Sequence, residues 1–309
     1  MKVPSSPYYR FSDYLKETFG ERVYRVPVDA GFSCPNRDGT KGIGGCIYCD
    51  NRGSAAPFVR RELSIREQIE GGIERVRKRY KARKFIVYFQ AFSNTYEPPE
   101  ILEKIYAQAV GFDGMVGVAI ATRPDCVDKE KLEVVRKTFE GYQVWMEYGL
   151  QTIHERTLAW MQRGHGVEAF IRAVETTRDF PFRVCAHIIF GLPGETREMM
   201  LETVRFLAKI GIDDLKIHML HVLKGTRLAK IYEEKPFELI TLEEYIPLVC
   251  DALEVLPPSV VIQRLTGDAP AENLIAPKWI LKKQDTLNGI KEELMRRGTY
   301  QGIYWKGKT

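Results

Sequence analysis

The sequence predicts an α/β fold, namely a partial or open TIM-type (β/α)6 barrel with N- and C-terminal extensions. Short apolar runs alternate about six times with segments of helical periodicity, as in parallel sheets with right-handed helical crossovers. Most of these runs are continuously apolar, which is typical of strands that are covered on both faces. The length of 309 residues suits a single α/β barrel.

The elements are assigned in chain order. Strands are predicted at 24–28, 85–90, 115–121, 143–150, 184–190, 215–220 and 260–264, and helices at 64–80, 99–110, 129–139, 167–178, 196–210 and 242–256. Ser64 and Glu67 have the spacing of a capping box, in which each side chain accepts a hydrogen bond from the other residue's amide. The first predicted helix therefore has a defined start.

Two terminal extensions flank the predicted barrel. A last helix is predicted to begin with Pro277 in its first position, to continue to Arg297 and to end at Gly298. We therefore divide the chain into an N-terminal extension at 1–22, a barrel at 23–268 and a basic helical extension at 269–309.

The composition excludes several classes of protein. Hydrophobic residues make up 44% and charged residues 28% of the chain, the balance of a globular protein. The longest apolar stretches reach about a third of the roughly 20 residues that a membrane-spanning helix needs. The first residues contain no apolar signal core, and six cysteines without such a signal indicate a reducing compartment. A cytoplasmic protein is expected.

Basic residues are concentrated in two segments, although the net charge is only +5. Residues 75–84 contain seven basic residues in ten, and residues 277–309 contain eight basic residues against three acidic ones. Solvated helix faces would explain both segments. A surface that contacts phosphates would explain them equally well.

Three of the six cysteines lie close together, directly after the first predicted strand. Cys34, Cys46 and Cys49 are separated by eleven and then two residues, and the longer interval contains four glycines. Glycine lets a backbone approach a ligand closely. Three thiolates are one short of a closed zinc site, and all five histidines lie beyond residue 150, so zinc would need a distant fourth ligand. A [4Fe–4S] cluster with one open iron fits better.

This loop resembles that of the radical S-adenosylmethionine (SAM) superfamily, and the resemblance extends over residues 23–264. The spacing departs from the commonest pattern and is similar to the branch near Elongator-type and coproporphyrinogen-oxidase-like proteins. The strings Asn-Arg-Asp-Gly-Thr at 36–40 and Gly-Gly-Cys at 44–46 resemble the YhcC/YtqA-type subfamily. The resemblance implies a [4Fe–4S] cluster on Cys34, Cys46 and Cys49, with SAM on the fourth iron, and a 5′-deoxyadenosyl radical.

The resemblance also implies a set of SAM-binding residues at the ends of the strands. The usual Gly-Gly-Glu segment is absent, so its role passes to the backbone around Gln90 and Ala91. Gln151 and Arg163 have the separation expected for contacts with the ribose region and the SAM carboxylate. A guanidinium suits a carboxylate because it donates two parallel hydrogen bonds. The remaining candidates for cofactor binding are Thr122, His187 and Gly191.

For other polar residues in or near the strands, the sequence allows more than one role. Arg123 could face phosphate, carboxylate or solvent, and Pro124 disfavours helix at that position. Glu147 lies within an apolar strand and could form a buried salt bridge, because an unpaired buried charge is costly. Lys216 and His218 share one strand face, and with Arg264 they are the candidate catalytic residues of a substrate pocket.

Three functions remain open. The resemblance implies a tRNA-modifying enzyme that acts on the side chain of the wobble uridine and receives electrons from a donor such as flavodoxin or ferredoxin. The same radical chemistry could act on a small molecule or a peptide. A zinc-stabilised RNA-binding module without catalytic activity is the third alternative.

Overall fold

The computed structural model describes residues 6–53, 55–56 and 58–307 of the chain. Nine strands and ten α-helices are found in these residues. The strands are β1 (Val23–Val28), β2 (Lys84–Phe89), β3 (Met115–Thr122), β4 (Gln143–Gln151), β5 (Phe182–Phe190), β6 (Asp214–Met219), β7 (Val222–Leu223), β8 (Val261–Arg264) and β9 (Leu274–Ala276). The helices are α1 (Phe11–Phe19), α2 (Ile65–Tyr80), α3 (Pro99–Ala107), α4 (Lys129–Thr138), α5 (Glu155–Trp160), α6 (Val167–Thr177), α7 (Arg197–Ile210), α8 (Arg227–Glu234), α9 (Leu242–Val255) and α10 (Lys283–Arg297).

Seven parallel strands form the central sheet, in the order β1-β2-β3-β4-β5-β6-β8. The sheet curls into a half-barrel with helices on its outer face, which confirms the predicted fold class. All seven predicted strands are present. Because the strands are parallel, their carboxyl ends lie together at one edge, which we call the mouth. The opposite edge, at the amino ends, is called the base.

Alternation along each strand separates a helix-facing side from the inside of the barrel. In β4, for example, Val144, Met146 and Tyr148 belong to the large apolar cluster under the helices. Trp145 belongs to a smaller cluster that also contains Leu15 of α1. Helix α1 thus packs at the base end of the barrel, where Phe11 contacts Trp145 edge to face with ring centroids 5.8 Å apart.

The N-terminal segment also covers the exposed edge of β8. The Ile262 amide donates a hydrogen bond to the Tyr9 carbonyl, with an N–O distance of 2.8 Å, and Arg10 forms a parallel bridge with Ile262. Covering an edge in this way satisfies backbone groups that would otherwise be free to pair with another chain.

Helix α10 runs from the mouth to the base. At its start, the Lys283 ammonium lies 3.7 Å from a carboxylate oxygen of Asp268, which follows β8. Beyond its end, the Gln301 side chain donates to the Pro257 carbonyl, at 2.8 Å, and Pro257 precedes β8. Fifteen residues of helix span about 22 Å. The two ends of this basic segment therefore face different parts of the molecule.

The structure differs from the sequence prediction in the C-terminal helix and in several elements that were not predicted. Residues 277–297 do not form one helix: Pro277 is extended and precedes a short 3-10 helix (Lys278–Leu281), and α10 begins at Lys283. The helices α1, α5 and α8 were not predicted, and neither was the antiparallel pair of β7 and β9. The basic run at 75–84 lies at the end of α2 and the start of β2, at the base and away from the mouth.

No helix of the described residues is both long and apolar enough to cross a membrane.

Candidate active site

The clustered cysteines lie at the mouth, on the long loop between β1 and α2. Cys46 is buried, Cys34 and Cys49 are partly exposed, and all three thiols are free. Near the turn that contains Cys46, the Gly45 amide donates to the Asn36 carbonyl, at 2.7 Å. The loop therefore folds back on itself and presents its thiols at the carboxyl ends of the strands.

The cysteine loop is anchored to the segment that follows α5. The Ile47 amide donates to the Met161 carbonyl at 3.1 Å, and the Asn36 side-chain amide donates to the Gln162 carbonyl at 2.6 Å. Arg227 of α8 donates to both the Gly45 carbonyl and the Gln162 side chain. These contacts join the loop to distant parts of the chain.

Cys46 has an environment that favours its thiolate. Arg163 Nη1 lies 3.4 Å and Asn36 Nδ2 lies 3.5 Å from the Cys46 sulfur, and both are donors. Burial raises the pKa of the Cys46 thiol, but Arg163, Arg123 and Asn36 together outweigh burial through their charges and hydrogen bonds, so its pKa is lowered. Burial dominates at Cys49 and raises its pKa to about 11.

The thiols fit an iron–sulfur cluster better than a zinc ion. A tetrahedral zinc ion, with Zn–S bonds of about 2.3 Å, would hold its thiolates about 3.8 Å apart. The three loop thiols do not form a group of ligand atoms within 4.8 Å of one another in the described residues. In a [4Fe–4S] cube each thiolate binds a different iron, so the thiolates stand further apart, and three protein ligands leave one iron open.

Arg123 is a buried anchor of the mouth. Its guanidinium makes two hydrogen bonds to the Asp125 carboxylate, both 2.9 Å long, and a third to the Arg163 carbonyl at 2.7 Å. Lys41 of the cysteine loop also binds Asp125, with a distance of 2.7 Å between ammonium and carboxylate. Of the roles left open by the sequence, the structure therefore assigns Arg123 to holding these loops together.

The segment after β2 lies beside the end of β3. Ala91 is buried, and its carbonyl accepts from the Asn94 side chain at 3.0 Å, while the same side chain donates to the Ala121 carbonyl at 2.7 Å. The hydroxyls of Thr122 and Thr95 lie 2.7 Å apart. Gln90 is partly exposed, and its amide donates to the Val28 carbonyl at 3.4 Å.

At the end of β4, Gln151 and Arg163 have different surroundings. Gln151 has a φ of 74°, is partly exposed, and its side chain makes no hydrogen bond within the described residues. The guanidinium of Arg163 is buried and donates to the Gly149 carbonyl at 2.8 Å as well as to Cys46. A Cβ atom on Gly149 would lie 2.5 Å from Arg163 Nη2, so only glycine leaves room for this guanidinium.

At the end of β5, Gly191 forms a tight turn with a φ of 78°. A Cβ atom at this position would lie 2.8 Å from the Ile240 side chain, so glycine is required both for its φ and for space. The Gly191 amide donates to the Met200 sulfur at 3.1 Å. His187, four residues earlier, turns into the barrel.

Below the mouth, the barrel encloses a charged cluster centred on Glu147. Its carboxylate is fully buried and contacts Arg25 at 2.9 Å, His187 Nε2 at 3.0 Å and the Lys216 ammonium. The ammonium also donates to the Tyr88 hydroxyl at 3.1 Å. The buried salt bridge that the sequence suggested for Glu147 is therefore confirmed.

The protonation states in this cluster follow from burial and from the neighbouring charges. Burial opposes ionisation of Glu147, but Lys216 and Arg25 outweigh it and hold the pKa of the carboxyl well below its usual value. Burial and Arg25 lower the pKa of Lys216 to about 8, so its ammonium is retained at neutral pH. Burial and Lys216 lower the pKa of His187 to about 4, which leaves a neutral imidazole.

The three predicted substrate-pocket residues lie on neighbouring strands. Lys216 is the register partner of both His187 on β5 and Arg264 on β8, and His218 lies two residues further toward the mouth. The ring centroids of His187 and His218 are 5.5 Å apart. Arg264 is partly exposed and lies 3.9 Å from Asp268.

A second group of potential metal ligands lies inside the barrel, but protein cations already neutralise its carboxylate. Ligand atoms of Glu147, Cys185 and His187 lie within 4.8 Å of one another. Both carboxylate oxygens of Glu147, however, are engaged by Arg25, His187 and Lys216. A metal ion would have to displace one of these cations, so this group is best described as part of the charged cluster.

Several residues of the site were not found by reasoning from the sequence. Arg25 and Tyr88, which complete the cluster around Glu147, each lie within a strand and carry no motif. Asn36 belongs to a recognised string, yet its hydrogen bond to Cys46 depends on the folded loop. Alternation along β1, which places Arg25 on the face opposite Val26 and Val28, is the signal that could have found it.

Comparison with known proteins identifies the family. A sequence model of the radical SAM superfamily matches residues 34–207, and a model of the radical SAM C-terminal domain matches residues 212–296. YtqA of Bacillus subtilis is 40% identical over 97% of this chain and 93% of its own length. YhcC of Escherichia coli is 37% identical over 87% of this chain and 86% of its own length.

More distant similarity is found to two archaeal proteins. The tRNA uridine(34) acetyltransferase of Methanocaldococcus jannaschii is 29% identical over 52% of this chain and 30% of its own length. A solved structure of Methanocaldococcus infernus Elp3 superimposes with a TM-score of 0.69 and 19% identity, over 90% of this chain and 64% of that one. At that identity the likeness concerns the fold.

The family matches cover the cysteine loop and most of the barrel, and the free thiols at the mouth suit the family's cluster. The chain belongs to the radical SAM superfamily, within its YhcC/YtqA-type subfamily, and its cofactors are a [4Fe–4S] cluster and S-adenosylmethionine.

Proposed function

We propose that this radical SAM enzyme modifies tRNA, at the side chain of the wobble uridine. The name of the archaeal relative, tRNA uridine(34) acetyltransferase, supports this substrate. In this proposal residues 23–268 form the catalytic barrel, whereas 1–22 and 269–309 are extensions, the latter contributing to RNA binding. The cluster would be held by Cys34, Cys46 and Cys49.

The cofactors and the protein have separate tasks. When bound, the cluster and SAM supply a 5′-deoxyadenosyl radical, and the protein supplies binding and orientation. Arg163 and Asn36 hold the Cys46 thiolate in place through their hydrogen bonds to its sulfur. Gln151, whose side chain makes no hydrogen bond within the described residues, is placed to contact SAM at the end of β4.

The remaining proposed SAM contacts differ in how firmly the fold holds them. His187 is fixed by its 3.0 Å contact with the ionised Glu147. Gly191 and Ala91 can contribute only backbone groups to polar contacts, and Thr122 is held by Thr95. Arg163 already donates to Cys46 and Gly149, so a contact with the SAM carboxylate would use its other N–H groups, among them the buried Nε, which has no partner within the described residues.

The observation that carries the proposal for RNA is a group of exposed lysines beside the mouth. Lys224 follows β7, just after the end of β6, and Lys282 and Lys283 begin α10 next to Asp268. Each contact between a lysine and a phosphate displaces counterions and adds affinity that depends on salt. These lysines stand where a folded RNA would rest while one of its bases enters the barrel.

The rest of the basic C-terminal segment has other partners. Arg297 is largely buried and is bound by Asp251 at 2.7 Å, by Glu254 at 3.1 Å and by Glu293 at 2.8 Å. Arg296 also pairs with Glu293, at 2.8 Å. Both arginines lie at the base end of α10. The RNA-binding surface is therefore assigned to the mouth end of the segment.

The aromatic residues of the basic C-terminal segment are either packed against the core or exposed near the base. Trp279 packs against Tyr245, with ring centroids 5.3 Å apart, and its indole N–H donates to the Ile240 carbonyl at 3.1 Å. Trp305 packs against the main core. Tyr300 and Tyr304 are exposed but follow the base end of α10. Base stacking by these aromatic side chains therefore does not form part of the proposal.

Salt-dependent tRNA binding tests the assignment. Replacing all three residues, Lys224, Lys282 and Lys283, by glutamine should weaken tRNA binding. The negative slope of log K against log salt concentration should become shallower by roughly one unit for each phosphate that is no longer neutralised. The matched control replaces three exposed lysines near the base ends of α2, α4 and α7, Lys78, Lys137 and Lys209, and should leave the slope unchanged. An unaltered slope in the mouth variant would remove these lysines from the proposal.

The reaction itself is tested in cells. Mass spectrometry of tRNA nucleosides from a strain that lacks the protein should show one modified wobble uridine missing or one precursor accumulated. Complementation with the Cys46→Ala variant should fail to restore the modification. An unchanged nucleoside profile would contradict the proposed substrate and favour a small molecule or a peptide.

A further inference from the structure

The inside of the barrel holds more positive than negative charge. Arg25, Arg183, Lys216 and Arg264 contribute four cations, against two buried carboxylates, Glu147 and Asp214, the latter paired with Arg183 at 2.8 Å. Glu147 is shared by Arg25 and Lys216, whereas the carboxylate near Arg264, Asp268, is exposed and 3.9 Å away. On the base side of the charged cluster, carboxylates therefore balance the cations. On its mouth side, no buried carboxylate of the described residues balances Arg264.

The residues on the mouth side stand close together because of the strand register. Lys216 and Arg264 are partners on adjacent strands, which places their Cα atoms about 5 Å apart. His218 lies on the same face of β6 as Lys216, about 7 Å further toward the mouth. The three residues are thus neighbours on adjacent strands, directly below the strand ends.

The side chains of these three residues have hydrogen-bonding capacity that the protein does not use. The Nε2 atom of His218 is buried and has no partner in the part of the chain that the structure describes, and it is a donor in the tautomer that carries its proton there. The Lys216 ammonium has three protons and makes two hydrogen bonds, to Tyr88 and Glu147. The Arg264 side chain makes no hydrogen bond within the described residues, only the 3.9 Å ion pair with Asp268, although its guanidinium carries five donors.

A ligand with oxygen acceptors and negative charge would satisfy all three groups. Lysine and arginine can only donate, and buried donors without acceptors are unfavourable. A guanidinium in particular binds a carboxylate or a phosphate through two parallel hydrogen bonds. A neutral apolar substrate would leave these donors unpaired.

We propose that Lys216, His218 and Arg264 form an oxyanion-binding site in the barrel, which takes the carboxylate or phosphate group of a substrate or co-substrate. This inference rests on the proposed function only in taking the barrel interior as the pocket for the reacting group. A carboxylate would come from a small co-substrate, whereas a phosphate would come from a nucleotide. The site lies below the cysteine loop and next to His187, so the proposal requires that SAM bound at the mouth leave room for the anion.

Binding of small anions to the cluster-loaded, SAM-bound protein tests this site directly. Acetate and inorganic phosphate are titrated separately by calorimetry, in the absence of RNA. At least one should bind, and Arg264→Gln should weaken its affinity tenfold or more. The matched control is Arg156→Gln, since Arg156 is exposed on α5, and its affinity should equal that of the wild type. Arg264 is partly exposed, so its replacement leaves the buried cluster around Glu147 in place.

The outcomes separate the two ligand sources and the two proposals. Stronger binding of acetate indicates a carboxylate co-substrate, and stronger binding of phosphate indicates a nucleotide. The inference is overturned if neither anion binds, if Arg264→Gln binds as the wild type does, or if the anion binds only when SAM is absent. Anion binding combined with unchanged tRNA nucleosides in the deletion strain would overturn the proposed tRNA substrate alone.

Discussion

Replacing Lys216 with methionine should strongly destabilise the protein, because it removes one partner of a buried ion pair. The Lys216 side chain is 4% exposed and the Glu147 side chain 0%. Breaking such a pair costs roughly 3–5 kcal/mol, since it leaves a buried charge without compensation. Arg25 and His187 still contact Glu147, so we expect about 3 kcal/mol. At roughly 2–4 °C per kcal/mol, the melting temperature should fall by about 6–12 °C.

A double-mutant cycle distinguishes this pair from a general loss of packing. Glu147→Gln should also destabilise, because it leaves Lys216 and Arg25 without their carboxylate. The double variant should be far less destabilised than the sum of the two single variants, since it replaces both charges. The assay is calorimetric melting of the cluster-loaded protein under anaerobic conditions.

An exposed ion pair on α4 is the matched control for the cycle. Glu133 and Arg136 contact each other at 2.6 Å on the helix surface, and we expect no coupling beyond experimental error for this pair. Additive effects of Lys216→Met and Glu147→Gln would refute the argument that the two charges depend on each other.

The remaining predictions concern the cofactors and the pH dependence of stability. Gln151→Ala should lower SAM affinity in calorimetry with unchanged iron content, whereas Arg163→Ala should lower both, because Arg163 also binds the Cys46 sulfur; equal effects of the two variants would contradict this division. Iron content should fall sharply on replacement with alanine of any one of Cys34, Cys46 and Cys49, and be retained on replacement of Cys126, Cys185 or Cys250. Burial raises the pKa of Asp214 to about 6, so the folded protein favours the protonated carboxyl. The stability that this preference contributes is fully present below about pH 4 and is lost as the pH rises through 6. The melting temperature of Asp214→Asn should therefore rise relative to that of the wild type between about pH 4 and 7. Parallel plots of melting temperature against pH would argue against the raised pKa.

Local patterns were sufficient to predict most of the sheet and the start of the first barrel helix. The seven apolar runs are the seven strands of the half-barrel, because strands covered on both faces need apolar residues on both faces. The capping box is present as well: the Ser64 amide donates to Glu67 at 2.8 Å, and the Glu67 amide donates to Ser64 at 3.2 Å. Both features depend on residues close together in the chain.

Residues 277–282 show why a local pattern can fail. Pro277 and the residues after it have the composition of a helix start, but the chain is held by the contacts of Trp279 with Tyr245 and Ile240, more than thirty residues away. A short 3-10 helix satisfies those contacts, and α10 begins only after it. Tertiary packing therefore outweighed helix propensity at this position.

The sequence by itself determined the fold class, the position of the cysteine loop after the first strand, and the family. Each of them follows from the periodicity of apolar residues or from a short sequence motif. Only the tertiary structure decided how charges are distributed. It placed Arg297 among acidic side chains, divided the basic segment between mouth and base, and surrounded Glu147 with Arg25 and Lys216. These partners lie 122 and 69 residues from Glu147 along the chain. Electrostatic partners are set by distance in space, and that distance exists only after the strands have paired.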